Sequence, residues 1–133
     1  MRNWERTALQ VAVSAACLVP LAAGGAGMLS GPAMIGGEGA LALDSHFRYL
    51  SGLLFGIGLG FLSTVPAIEA HGSRFRLLTV IVVAGGIGRL ISVATLGVPQ
   101  DAMAAALVME LIVTPALALW QSRIARNCSI VGP

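Results

Sequence analysis

The sequence predicts an all-α integral membrane protein, a four-helix bundle of antiparallel, up-down-up-down helices with both termini in the cytoplasm. Of its 133 residues, 56% are hydrophobic and only 11% are charged, whereas a soluble domain carries about 25% charged residues. The mean hydropathy is +0.87. So few charges cannot cover the surface of a water-soluble chain, which excludes a soluble enzyme. The scattered arginines, with no lysine among them, form no basic patch, which excludes a nucleic-acid binder.

Four segments that are almost free of charge account for the four predicted helices. They cover residues 7–29, 49–68, 77–96 and 102–121 and are 20 to 23 residues long. A helix needs about 20 apolar residues to cross a hydrocarbon core of about 30 Å. Leu and Ala dominate these segments, and apolar residues do not alternate with polar ones, so we expect no transmembrane strands.

The connections between the segments are short, which makes consecutive helices antiparallel neighbours within a single domain over residues 1–133. Residues 69–76 and 97–101 contain the Gly and Pro residues that are typical of tight turns. Residues 30–44 form the longest connection. Its Gly36-Gly37-Glu38-Gly39 run argues against regular structure, although a short interfacial helix is compatible with it.

The arginines predict the orientation in the membrane. Six of them fall on one side of the predicted bilayer, and only Arg48 falls on the other: the six are Arg2, Arg6, Arg74, Arg76, Arg123 and Arg126. Cytoplasmic loops are enriched in Lys and Arg, so both termini are predicted to be cytoplasmic. The alternative is a cleaved signal peptide over residues 2–27. Its apolar run is longer than the about 7–15 residues of a signal sequence, which disfavours that alternative.

Two charged residues, Arg89 and Glu110, lie inside the predicted membrane spans. A charge near the bilayer centre costs about 2.5–3.5 kcal/mol on the insertion scale. Arg89 lies ten residues before Pro99, and Glu110 lies ten residues after Gln100, so antiparallel helices place both at the same depth. We therefore predict an ion pair between the two helices. Pro115 is expected to kink the helix beside Glu110, which could open a small polar cavity.

A further polar cluster, Asp44, His46 and Arg48, lies at the predicted outer end of the second helix. Asp44 and Arg48 are spaced to pair on a helix, and Asp44 is suited to cap its N-terminus. Two interpretations remain open. The cluster is either a helix start with an interfacial arginine, or Arg48 lies at the mouth of the Arg89–Glu110 cavity and holds an anionic headgroup or a polar ring.

Three glycines of the second helix, Gly52, Gly56 and Gly60, repeat at four-residue spacing. This small-residue pattern predicts close helix packing, either within the chain or with a second copy. No catalytic constellation, cofactor site or metal site is predicted. His46 and His71 belong to opposite membrane faces, and Cys17 and Cys128 lie at different depths.

The chain resembles a family of small bacterial four-helix membrane proteins that is classed as a domain of unknown function. The resemblance rests on the runs Ser45 to Gly52, Gly56-Ile57-Gly58, Phe75 to Leu78, Gly88 to Ser92, Glu110-Leu111, Thr114-Pro115 and Trp120-Gln121. It implies a location in the bacterial inner membrane and carries no activity. More distantly, the build is similar to DoxX-like proteins, some of which are accessory parts of redox or thiol-related membrane systems.

Three functions are compatible with these features. The first is a non-catalytic accessory or scaffold subunit that contacts lipid and either a membrane-protein partner or further copies of itself. The second is a binder of a lipophilic molecule, such as a quinone, isoprenoid or lipid, in a cavity lined by Arg48, Arg89 and Glu110. The third is a small transporter or proton relay in which Glu110 titrates.

Overall fold

The computed structural model describes residues 3–37, 39–97 and 101–129, and it is 91% helical, with no strand in these ranges. The α-helices are α1 (Asn3–Ser30), α2 (Leu41–Leu62), α3 (Gly72–Leu96), α4 (Asp101–Val108) and α5 (Thr114–Ser129). A π-helical turn, Met109–Val113, joins α4 to α5 into one long helix. Four segments are long and apolar enough to cross a membrane: Asn3–Ile35, Leu41–Ala67, Gly72–Leu96 and Asp101–Cys128. The prediction of four membrane-spanning helices is confirmed.

The helices extend beyond the charge-free segments that predicted them. The second begins at Leu41 and the third at Gly72, several residues before the predicted starts. A charge-free run marks only the part of a helix in hydrocarbon, and charged residues in the headgroup layer do not end a helix. The connection after α1 is correspondingly short and contains a 3₁₀ turn, Gly31–Ile35. Predictions that involve Arg2, Glu38, Pro99 and Gln100 lie outside the described residues.

The expected role of Asp44 as the cap of the second helix is wrong. Ala40 occupies the N-cap position and makes no side-chain hydrogen bond, while Asp44 lies within the first turn. A carboxylate in that turn still interacts favourably with the positive end of the helix dipole.

The chain divides into two compact units, each of which has its own packing. In the unit Val11–Pro66, α1 and α2 approach so closely that their backbones touch. A Cβ atom added to Gly24 would lie 2.6 Å from the backbone nitrogen of Phe55 and 2.7 Å from the backbone oxygen of Ser51. On the α2 side, a Cβ atom at Gly58 would lie 3.1 Å from Leu21. Small residues at these positions permit the close packing on which helix association in a membrane depends.

The other unit contains residues 1–10 and 67–133. Its interior contains the buried side chains of Leu9, Ile68, Phe75 and Ile124. Gln121 is only 1% exposed, and its side-chain amide donates a hydrogen bond of 2.8 Å to the carbonyl oxygen of Ile68. This bond attaches the connection before α3 to α5, near the end of α5 that is predicted to face the cytoplasm. A buried amide needs such a partner, because leaving it unpaired costs about 1–3 kcal/mol.

The last two spans leave most of their apolar surface uncovered. In their most apolar stretches, 11% of the residues of the third span and 0% of those of the fourth are buried. Apolar surface of this extent is stable only against lipid or another membrane protein. The protein is therefore a multi-pass membrane protein whose apolar helices contact the bilayer.

Candidate functional site

The predicted ion pair between Arg89 and Glu110 is present. Arg89 Nε donates to Glu110 Oε2, and Arg89 Nη2 donates to Glu110 Oε1, both at 3.0 Å. Two parallel charge-assisted hydrogen bonds make this a bidentate pair, the strongest arrangement of arginine with a carboxylate. The side chain of Glu110 is 15% exposed and that of Arg89 is 36% exposed. The carboxylate is thus the better covered partner, and both of its oxygens are engaged.

A π-helical turn carries Glu110. Within it, the backbone N–H of Thr114 donates to the carbonyl oxygen of Met109, and the Thr114 hydroxyl donates to the same oxygen at 2.8 Å. Pro115 follows, and because it lacks an N–H it cannot supply the ordinary helical hydrogen bond to residue 111. The kink predicted beside Pro115 therefore takes the form of a widened turn. Such turns occur frequently at functional sites.

Gly86 brings α3 against this turn. A Cβ atom at Gly86 would lie 2.7 Å from Leu111 Cδ2 and 3.0 Å from Glu110 Cβ, so a larger residue would require the Leu111 side chain to move and Glu110 to shift slightly. At Gly85 and Gly88, by contrast, no atom in the described part of the chain lies within 4 Å of an added Cβ atom. The side of α3 that carries Gly86 therefore packs against Glu110, whereas the surface at Gly85 and Gly88 is not covered by the described part of the chain.

The pair that was predicted between Asp44 and Arg48 is also present, with Arg48 Nε donating to Asp44 Oδ2 at 2.8 Å. Arg48 has a second role that sequence reasoning missed. Its Nη1 donates to the carbonyl oxygens of Met28 and Leu29, at 2.6 and 2.9 Å. The last carbonyls of a helix lack partners within it, so Arg48 caps the end of α1. The exposed His46 forms no hydrogen bond with any residue in the described ranges.

Gly31 makes this cap possible. It has a positive φ of +62°, which favours glycine, and a Cβ atom there would lie 2.8 Å from Arg48 Nη2 and 2.5 Å from Asp44 Oδ1. Arg48 belongs to the unit Val11–Pro66, whereas Arg89 and Glu110 belong to the other unit. A cavity shared by the three residues stays a prediction.

The glycine series of α2 has different surroundings at each position. A Cβ atom at Gly52 would make ordinary contact with Met28 Sδ at 3.7 Å, whereas one at Gly56 would meet no described atom within 4 Å. Gly60 is partly exposed. The packing role of this series stays a prediction, and the tightest glycine contacts between α1 and α2 are made at Gly24 and Gly27, against Phe55 and Ser51.

A third ion pair, between Arg6 and Glu69, was not predicted. Arg6 Nε donates to Glu69 Oε2 at 2.9 Å. Partial burial raises the pKa of Glu69, but its own backbone N–H and the Arg6 guanidinium outweigh this effect, so the pKa of Glu69 lies below its ordinary value. The sequence contained an indication of this pair, because Arg6 and Glu69 have opposite charges and both fall on the predicted cytoplasmic side.

Residues 8–121 match the family model described as Domain of unknown function (DUF4345). The chain belongs to this family. The match includes Arg48, Arg89, Glu110 and Gln121, and it ends before Arg126. No curated protein and no solved structure matches the chain. In the described ranges, no three metal-ligating side chains come together.

Proposed function

We propose that this protein is a non-catalytic accessory or scaffold subunit in a bacterial inner membrane. The observation that carries the proposal is the bidentate pair of Arg89 and Glu110. Both oxygens of the Glu110 carboxylate accept hydrogen bonds from Arg89. A carboxylate that is held in this way fixes the register of two helices and is poorly suited to carry protons, because protonation would break the pair.

The uncovered surface of the last two spans supports a role in assembly. Those spans bury few of their apolar residues within the chain, which leaves a broad face for lipid or for a membrane-protein partner. The short connections and the absence of any grouped ligating side chains in the described ranges are in keeping with such a role.

Native mass spectrometry of the protein, extracted gently from its host membrane, tests this function. A foreign subunit or a defined homo-oligomer bound at fixed stoichiometry is the expected result. A matched sample of the double variant Arg89→Ala with Glu110→Ala, which lacks both charges of the pair, tests whether the pair is needed for the last two spans to bind a partner. A monomer that carries only bulk lipid in several gentle detergents would contradict an accessory role.

The π-helical turn favours a second function, the binding of a lipophilic molecule such as a quinone, isoprenoid or lipid. The turn places Glu110 beside a partly exposed Arg89, and the surface at Gly85 and Gly88 is open. A bound molecule would appear in the same spectra as an additional mass at one copy per chain. Arg89→Lys keeps the charge but loses the two-pronged geometry, so this variant should lose that mass. Retention of the mass in Arg89→Lys would place the ligand elsewhere.

A further inference from the structure

A pocket lies where the beginning of α3 meets the end of α5, away from the Arg89–Glu110 pair. Its volume is about 240 Å³, and it is lined by Gly72, Arg76, Gln121, Ser122, Ala125 and Arg126. Arg76 lies in the second turn of α3, and Arg126 lies three residues before the end of α5. At a rise of about 1.5 Å per residue, both arginines lie within about 6 Å of the ends of their helices, where we expect the lipid headgroups.

The charges of this pocket are not neutralised within the described part of the chain. Neither Arg76 nor Arg126 forms an ion pair there, whereas Arg6 at the same edge is paired with Glu69. No carboxylate is among the residues that line the pocket. Two unpaired arginines that face one cavity favour an anionic ligand.

Gln121 and Ser122, the other polar side chains of the pocket, each already donate one hydrogen bond within the chain. The amide of Gln121 donates to the carbonyl oxygen of Ile68, and the hydroxyl of Ser122 donates to that of Ala118 at 2.9 Å. The two guanidinium groups are therefore the main donors left for a ligand. A guanidinium matches the geometry of a phosphate group particularly well. The remaining lining of Gly72 and Ala125 is apolar and suits the glycerol and the upper acyl chain of a lipid.

We propose that this pocket binds the phosphate of an anionic phospholipid headgroup. Basic pockets at the cytoplasmic edge of membrane helices bind such headgroups, and each arginine near an anionic membrane surface changes the binding constant by about fivefold. Removing both arginines should therefore weaken binding by roughly twenty-five-fold. The proposal does not depend on the accessory function, because it concerns different residues at another depth.

Native mass spectrometry of the purified full chain in a neutral detergent provides the test. Phosphatidylglycerol and phosphatidylcholine with identical acyl chains are titrated into the protein. We expect one phosphatidylglycerol per chain, bound in preference to phosphatidylcholine, and loss of this preference in Arg76→Gln with Arg126→Gln. Equal binding of the two lipids by the wild type would overturn the proposal.

Arg123→Gln is the matched control, since Arg123 is an exposed arginine on the same turn of α5 but does not line the pocket. It should retain binding close to that of the wild type. A loss as large as that of Arg126→Gln would show diffuse attraction by surface charge and no defined site. Ala125→Leu narrows the pocket and keeps every arginine, so it should weaken the preference for phosphatidylglycerol. Unchanged binding in Ala125→Leu would contradict the pocket, and circular dichroism checks that each variant is folded.

Inorganic phosphate is the other ligand that could bind the two arginines through a phosphate group. Inorganic phosphate added at the concentration of the lipid should leave phosphatidylglycerol bound, because the glycerol and acyl contacts are missing from the ion. Displacement of the lipid by equimolar phosphate would overturn the assignment to a lipid.

Discussion

The two arginine–carboxylate pairs within the helices differ in their hydrogen bonds and in their surroundings: Arg89 holds Glu110 through two bonds, whereas Arg48 holds Asp44 through one. Arg48 and Asp44 lie on the same helix near its start, and their side chains are 41% and 36% exposed. Arg89 and Glu110 join two helical segments that are distant in sequence, and the Glu110 side chain is only 15% exposed. The first pair orients an arginine that caps another helix, whereas the second holds two helices in register. Depth and coverage, more than the pair itself, decide how much each contributes.

The largest effect is expected from separating Arg89 and Glu110. Arg89→Ala or Glu110→Ala alone leaves one charge without its partner in the membrane, which should cost about 3–5 kcal/mol of stability. The double variant removes both charges and should recover part of that loss. The folded yield in membranes and the thermal unfolding midpoint in detergent measure the difference. Single variants that are as stable as the wild type would show that the Arg89–Glu110 pair does not hold the two helices together.

Gly24→Ala should have the next largest effect, because its new Cβ atom would collide with the backbone of α2 and not with a flexible side chain. Overpacking of this kind costs about 1–3 kcal/mol. Gly56→Ala is the matched control, since no described atom lies near its added Cβ atom, and it should be neutral or slightly stabilising within a monomer. If Gly56→Ala instead weakened self-association, the α2 glycine series would be a contact between copies.

Arg48→Lys sharpens the comparison between the two pairs. A lysine keeps the charge but presents all its donors from one nitrogen, whereas Arg48 uses Nε for Asp44 and Nη1 for the two backbone carbonyls, so the end of α1 should exchange its amide hydrogens faster. We expect a smaller loss of stability than in Arg89→Lys, because the Arg48 site is more exposed. His46→Ala, on the same turn of α2, should leave hydrogen exchange unchanged. Equal losses in Arg48→Lys and Arg89→Lys would contradict the role given to depth.

The smallest expected effect belongs to Glu69 outside the spans. Its pKa is lower in the folded state than in the unfolded chain, so it stabilises the fold fully above its unfolded pKa of about 4.3. This stabilisation is lost as the pH falls through the lowered folded value. The size should not exceed about 1 kcal/mol, as for other exposed pairs. Unfolding midpoints between about pH 6 and pH 3 should show a step that Glu69→Gln removes. The same step in Glu69→Gln would assign it to another carboxyl group.

The number of membrane-spanning helices and the partner of Glu110 could be predicted from the sequence. Four spans follow from the lengths of the apolar segments, because hydrocarbon thickness sets how many residues a helix needs. The pairing of Arg89 with Glu110 follows from counting residues to the turn between their helices, since the rise per residue is constant. The bounds of α2 could not be predicted in this way, because charged residues such as Asp44 and Arg48 continue a helix into the headgroup layer.

What the tertiary structure alone decided is which faces of the helices meet. The series of Gly52, Gly56 and Gly60 was visible in the sequence, yet the tightest contacts between α1 and α2 are made at Gly24 and Gly27. The cap that Arg48 places on the carbonyls of Met28 and Leu29, and the bond from Gln121 to Ile68, join residues far apart in the chain. Composition and spacing determine which segments are long and apolar enough to cross the bilayer. Rotation of each helix about its axis depends on packing against its neighbours, which a single sequence does not contain.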